Sequence, residues 1–179
     1  MVTALPGAGH ATRMVLKNLI YILLLLLPPV ASGQAAPKES ESWFTVTRVV
    51  DGDTFWVDDG SEKGLKIRLI GIDAPEPRNT GTRPKGFFGA ESTTYLQELL
   101  KGKRVRLEYD VARYDRYMRT LAYAYLDDGT FINAELVRNG YATVMTMPPN
   151  VKYAKTFTEL AANARKQKKG LWNESPSLK

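Results

Sequence analysis

From Trp43 onward the chain is a succession of short β-type runs separated by Asp-Gly turns, and that punctuation restricts it to a small sheet that closes or folds on itself. Residues 43–50 and 54–57 flank Asp51-Gly52, a strong two-residue hairpin signal. Asp58-Asp59-Gly60 makes the next turn, and residues 65–72 read as a third strand with Ile67, Leu69 and Gly71 on one face. Residues 104–110 and 121–126 supply two more strands, the last turned by Asp127-Asp128-Gly129. The chain has no cysteine, so no disulfide framework can hold these strands and the stability must come from a packed core.

Helical spacing takes over in three places. Tyr95, Leu96, Leu99 and Leu100 define a helix over residues 90–100. Asn133 is placed to cap a short helix that Gly140 closes, and Phe157, Leu160, Ala161 and Ala164 mark a final helix ending near Gly170, with Leu171-Trp172 packed back. Between strand and helix, residues 77–88 hold the breakers Pro77, Gly81, Pro84 and Gly86 with the cations Arg78, Arg83 and Lys85, and read as a mobile basic surface loop. The order β-β-β-α-β-β-α-α predicts an α+β fold: a five-stranded antiparallel meander closed by helices, of which a five-stranded OB-fold barrel with three helices is the type.

Ahead of this domain lie Arg13 and Lys17, the apolar run 19–27, Pro28-Pro29 and the small residues Ala31-Ser32-Gly33. That is the layout of a secretory signal peptide over residues 1–33. An uncleaved anchor is the alternative, although the run has about half of the roughly 20 residues that span a bilayer. Residues 34–42 then form a linker, 43–173 the domain and 174–179 a tail. The expected address is secreted or periplasmic, with no stable membrane association after cleavage. Losing Arg13 and Lys17 lowers the net charge from +6 to +4, which fits a polyanionic partner without establishing one.

The chemistry is bounded by what is missing. His10 is the single histidine and precedes the domain, so a zinc centre, a Cys–His pair and a Ser–His–Asp triad all lack their residue types. What remains is Asp51-Gly52-Asp53-Thr54, then Arg68 followed by Asp73-Ala74-Pro75-Glu76. Carboxylates on a hairpin and its neighbouring strand suit a hard cation such as Ca2+, and a guanidinium beside them suits a phosphate. Each residue has a plainer reading. Asp51 and Asp53 serve turns in many hairpins, Asp73 can end a strand, and arginines on sheets are commonly solvated. Lys166, Lys168 and Lys169 follow from the dipole at a helix C-terminus rather than from a partner.

Taken in order, Val50-Asp51-Gly52-Asp53-Thr54, the segment Arg68 to Glu76, and Asp115-Arg116-Tyr117-Met118-Arg119-Thr120-Leu121-Ala122 resemble the thermonuclease (staphylococcal nuclease) family. Residues 133–142 and Gly170-Leu171-Trp172 resemble its later segments, so the likeness runs from about Trp43 to Trp172. The resemblance implies an OB-fold endonuclease, acting as a monomer, that needs Ca2+ and hydrolyses phosphodiesters in DNA and RNA. Asp53 and Asp73 would offer side-chain oxygens to the metal and Ala74 its backbone carbonyl, with Asp51 near the metal's water shell. Arg68, Glu76 and Arg119 fall on the catalytic positions, and Arg116 and Tyr117 on a phosphate contact and a base-stacking position. Two departures stand out. Met118 occupies a place commonly held by glycine, where a positive φ would strain it, and residues 144–148 lack the aromatic that forms a second wall for a base. The rival readings are a non-catalytic OB-fold nucleic-acid-binding module and an exported carbohydrate or adhesion domain. The latter would show aromatic platforms without paired arginines.

Overall fold

An odd number of strands cannot close into a cylinder with every neighbour antiparallel, so a five-stranded barrel must contain a parallel seam. The computed structural model, which describes residues 42–79, 81 and 84–173, puts that seam between the third and fifth barrel strands. The strands are β1 (Trp43–Asp51), β2 (Thr54–Asp58), β3 (Leu65–Leu69), β5 (Arg104–Glu108) and β6 (Thr120–Leu126), closed in the order β1-β2-β3-β6-β5. β3 runs parallel to β6, with Arg68 beside Leu121, and the other four seams are antiparallel. The expected OB-type barrel is present. The expected all-antiparallel meander is not, for the reason of parity just given.

Three helices complete the α+β fold: α1 (Gly89–Leu100), α2 (Ile132–Arg138) and α3 (Ala154–Lys166). Period-two alternation sends Phe55, Val57, Ile67, Leu69, Val105, Leu107, Ala122, Ala124 and Leu126 into the barrel, all buried, where Leu96, Leu100, Ile132, Leu136 and Phe157 from the helices meet them. The third strand stops at Leu69 rather than continuing to Ile72. Gly71 turns the chain with φ +79, and a Cβ there would lie 2.6 Å from the Phe157 ring. Beyond it Ile72–Asp73 forms the short strand β4, paired with β7 (Thr143–Val144). The expected leader, most of the expected linker, Arg83 and the tail 174–179 lie outside the described residues. Among the described residues no helix is long and apolar enough to cross a membrane.

Asn133 departs from its expected role. The cap of α2 is Phe131, with extended backbone and no side-chain bond, and Asn133 is fully buried one residue inside the helix. Its Oδ1 accepts from the Ala124 N–H at 3.0 Å and its Nδ2 donates to the Ile70 carbonyl at 2.9 Å, tying β6 to the turn after β3. Tertiary need has overridden a local preference, because both backbone groups are buried and need partners. Asn133→Ala and Asn133→Ser are both expected to cost about 2–6 kcal/mol, since two buried groups lose a partner at about 1–3 kcal/mol each. Urea unfolding should show a lower midpoint at unchanged slope. A serine variant as stable as the parent would restore the capping role, because serine caps well but is too short to bridge.

Candidate active-site cleft

The Asp51-Gly52 hairpin, the β3–β4 turn and the loop before β6 all open onto one cleft of about 1010 Å3, lined by Asp51, Asp53, Arg68, Asp73, Ala74, Glu76, Tyr117 and Arg119 among others. Its centre is a buried guanidinium. Arg68 is 6% exposed, because β3 is flanked on both sides within the barrel. Its Nε lies 3.1 Å from Asp53 Oδ1 and its Nη2 3.0 Å from Asp73 Oδ1. Its Nη1 donates to the carbonyls of Leu69 at 2.7 Å and Ile72 at 2.8 Å. Three of the five N–H donors of the guanidinium are thereby hydrogen-bonded, and Nε faces Asp53 in an ion pair. A phosphate entering here meets the remaining Nη2 N–H rather than a free two-toothed fork.

Asp53 is 5% exposed and intensively held. Thr54 Oγ1 donates to its Oδ1 at 2.9 Å, and the Ala74 N–H to its Oδ2 at 2.8 Å. Burial nonetheless dominates and, with Asp51 nearby, pushes its carboxyl up to about 7 against the opposing pull of Arg68 and the two hydrogen bonds. Asp51 carries out the turn role given by its plainer reading, since its Oδ1 accepts from the Asp53 N–H at 3.1 Å. It also adds charge beside Asp53.

These residues fit a hard cation. Asp51, Asp53, Asp73 and Glu76 bring four carboxylates to the cleft, and Arg68 is the guanidinium buried among them. A carboxyl held near 7 in the absence of metal is one that a cation would ionise. The expected donor set is two carboxylates and a backbone carbonyl. Among the described residues no group of three or more acidic, histidine or cysteine side chains is gathered to hold a metal. Any bound ion would therefore keep several waters.

Glu76 is held by its backbone. Its carbonyl accepts from the Gly86 N–H at 2.9 Å, and a Cβ on Gly89 would lie 2.1 Å from that same oxygen. Gly86 and Gly89 thus lie tightly against Glu76, and Lys85 N–H donates to Asn79 Oδ1 at 2.7 Å. At least these points of the loop are anchored, where the sequence suggested mobility.

Arg119 is organised by a residue that the motif contained but whose role its spacing did not reveal. Asp115 Oδ1 accepts from the N–H groups of Tyr117 at 2.8 Å and Arg119 at 3.0 Å, while Asp115 Oδ2 accepts from Arg119 Nε at 2.7 Å. Partial burial works against the charge, but those N–H groups hold the Asp115 carboxyl below its ordinary value. The ion pair uses Nε and leaves the two Nη groups outside it, on a residue that lines the cleft. Met118 does take φ +61, as feared, at a cost of about 1–2 kcal/mol for a residue with a Cβ, yet Arg119 keeps its tether and the Met118 side chain points into solvent. Arg116 Cζ lies 4.7 Å from the exposed Tyr117 ring. Met145 and Met147 line the lip where the aromatic wall is missing.

Comparison with known proteins points the same way. A family described as "Staphylococcal nuclease homologue" matches residues 66–174. A protein named thermonuclease from Staphylococcus hyicus is 39% identical over 137 residues, covering 75% of this chain and 78% of its own length. One of the same name from Staphylococcus intermedius is 39% identical over 132 residues, covering 72% and 75%. A protein named uncharacterized endonuclease from Escherichia coli O157:H7 is 38% identical over 130 residues, covering 73% and 76%.

Proposed function

The chain belongs to the staphylococcal nuclease homologue family, and from that premise we propose that it is an exported, Ca2+-dependent nuclease that hydrolyses phosphodiester bonds in DNA and RNA. One observation supports this most: Asp53 and Asp73 are joined through the buried Arg68 in a cleft that Glu76 and Arg119 also line. A binding module has no use for that combination. Export rests on the charged-then-apolar pattern ahead of residue 33.

Asp53, Asp73 and the Ala74 carbonyl would hold the ion, which when bound offsets phosphate charge and fixes its orientation. The residues of the chain do the rest. Arg119 offers its two Nη groups to phosphate oxygens, and Arg68 its remaining Nη2 N–H, so charge that builds on those oxygens meets fixed donors. Glu76 orders the attacking water and accepts its proton as the new P–O bond forms. The departing ester oxygen takes a proton from solvent.

The deciding experiment is the purified chain on DNA and RNA, with Ca2+ and with chelator. Cleavage of both with Ca2+ and none in chelator, at unchanged far-UV circular dichroism, is the expected result. Binding without cleavage would favour the OB-fold binding module, and full activity in chelator would remove the ion from the reading. The Asp53 carboxyl adds a pH signature. Because it is raised to about 7 without metal, it is increasingly protonated as pH falls below that value, and ion uptake must expel the proton. Calorimetric Ca2+ affinity should hold steady above pH 7 and fall roughly ten-fold per pH unit below it. An affinity that does not change from pH 5 to 8 would place Asp53 outside the ion's shell.

A further inference from the structure

Across the outer face of the barrel, three strands place Arg48, Trp56 and Lys66 directly opposite one another: Arg48 on β1 pairs with Trp56 on β2, which pairs with Lys66 on β3. Their neighbours Phe55, Val57 and Ile67 are fully buried, so alternation turns this row outward. Arg48 Cζ lies 5.4 Å and Lys66 Nζ 6.0 Å from the Trp56 ring. These are loose contacts beside the 3.5 Å at which Arg113 stacks on Tyr109. Among the described residues neither cation has a carboxylate partner within ion-pair distance, unlike Arg138, which is held by Glu135, or Lys152, which is held by Glu108.

The row is continuous with the cleft. Trp56 and Lys66 both line it, and the next outward row along the same strands is Thr54 opposite Arg68. Two residues along a strand is about 7 Å. A nucleic-acid strand advances about 3.4 Å per stacked nucleotide and further when extended, so one or two nucleotides span that gap. β3 also lies between β2 and β6 in the barrel. Trp56 therefore flanks Arg68 on one side, and Arg116 and Tyr117, which precede β6, on the other.

Resting on the nuclease reading above, we propose that Arg48, Trp56 and Lys66 form a second nucleotide subsite, which takes an unpaired base of the substrate strand on the side of Arg68 away from Tyr117. Trp56 supplies the face on which the base stacks, and the two loosely held cations turn to its flanking phosphates. A base in a duplex has no free face, so the subsite selects single strands or opened regions. Its chemistry does not distinguish ribose from deoxyribose.

The test uses Trp56→Ala, Trp56→Phe and the double variant Arg48→Gln/Lys66→Gln in the full chain. Binding is measured by anisotropy with labelled 12-nucleotide single strands of DNA and of RNA, in chelator so that nothing is cut. Trp56→Ala should weaken binding about ten-fold or more and Trp56→Phe much less, because a ring remains. The double variant should lower the slope of log affinity against log salt by about 1.4, or 0.7 per cation removed. An effect on both nucleic acids supports the shared chemistry, and an effect on one alone assigns the subsite to that source. Cleavage with Ca2+ is compared on the 12-mer and on a mononucleoside aryl phosphodiester, which carries one base. The ratio of kcat/KM for the long to the short substrate should fall about ten-fold in Trp56→Ala, through KM. Equal loss on both substrates with a lower melting temperature would make Trp56 structural and overturn the subsite, as would an unchanged ratio. A parent chain that cuts neither substrate yet shows the binding losses would sink the nuclease reading and leave the subsite standing.

Discussion

Arg68→Ala will lose activity and stability together, whereas Arg119→Ala will lose activity alone. Both arginines line the cleft, and removing a phosphate-facing donor typically lowers turnover about 100- to 1000-fold. The difference lies in what each holds when no substrate is present. Arg68 is buried and bridges Asp53, Asp73 and two carbonyls. Its loss leaves a buried carboxylate uncompensated, the situation that costs about 3–5 kcal/mol in broken buried pairs. Part of this is recovered when Asp53, already raised to about 7, takes up a proton. Arg119 makes a single side-chain ion pair, at 28% side-chain exposure, and pairs of that kind contribute about 1 kcal/mol or less. Urea unfolding of the two variants beside cleavage assays gives the comparison. Equal stability losses would mean that Arg68 is not the organising charge of the cleft. Ca2+ should narrow the gap in neither direction for Arg119→Ala, whose tether lies away from Asp53 and Asp73.

What the sequence made legible was whatever is encoded locally. Asp51-Gly52 and Asp58-Asp59-Gly60 marked the turns that join the first three strands, and alternation in Phe55, Val57, Ile67 and Leu69 marked the barrel interior. The overreach of the third strand came from the same rule. Ile70 and Ile72 extend the apolar run, but the space above Gly71 is filled by Phe157, more than eighty residues away in sequence. Asn133 failed in the same manner, its side chain claimed by two distant backbone groups rather than by its own helix. In the cleft, Asp53, Arg68 and Asp73 do converge as the hairpin and strand suggested. The commitment of Arg68 Nη1 was invisible, because both of its partners are main-chain carbonyls and any residue supplies those. Trp56 was passed over for a related reason. Its neighbours Arg48 and Lys66 lie eight and ten positions away, and strand register, not spacing, puts them in one row. Asp115 had a local signal that goes unused in a motif search: an aspartate opening a four-residue turn whose N–H groups need an acceptor.

Glu76→Gln is expected to lower the rate about 100- to 10,000-fold while leaving the melting temperature and Ca2+ affinity close to those of the parent. Glutamine keeps the shape and can still hold a water by hydrogen bonds, but it cannot take the water's proton. The backbone of Glu76 makes the contacts to Gly86 and Gly89, and glutamine keeps them. The pH profile separates the two roles that Glu76 could fill. Apart from His10, which precedes the barrel, the chain has no imidazole and no thiol, the side chains that ordinarily titrate near neutrality. The guanidinium groups, as a class, keep their proton across the accessible range. The kcat/KM of the parent on a short oligonucleotide at saturating Ca2+ should therefore rise through acid pH as protons leave the carboxylates, and then hold or climb to pH 9. No falling limb of a histidine acid should appear. In Glu76→Gln the rate should be low at pH 6 and recover with hydroxide concentration, narrowing the gap to the parent as pH rises. If the two profiles run parallel from pH 5 to 9, Glu76 orders the water without accepting its proton. A bell with a falling limb by about pH 8 in the parent would mean that another, strongly shifted group carries the proton.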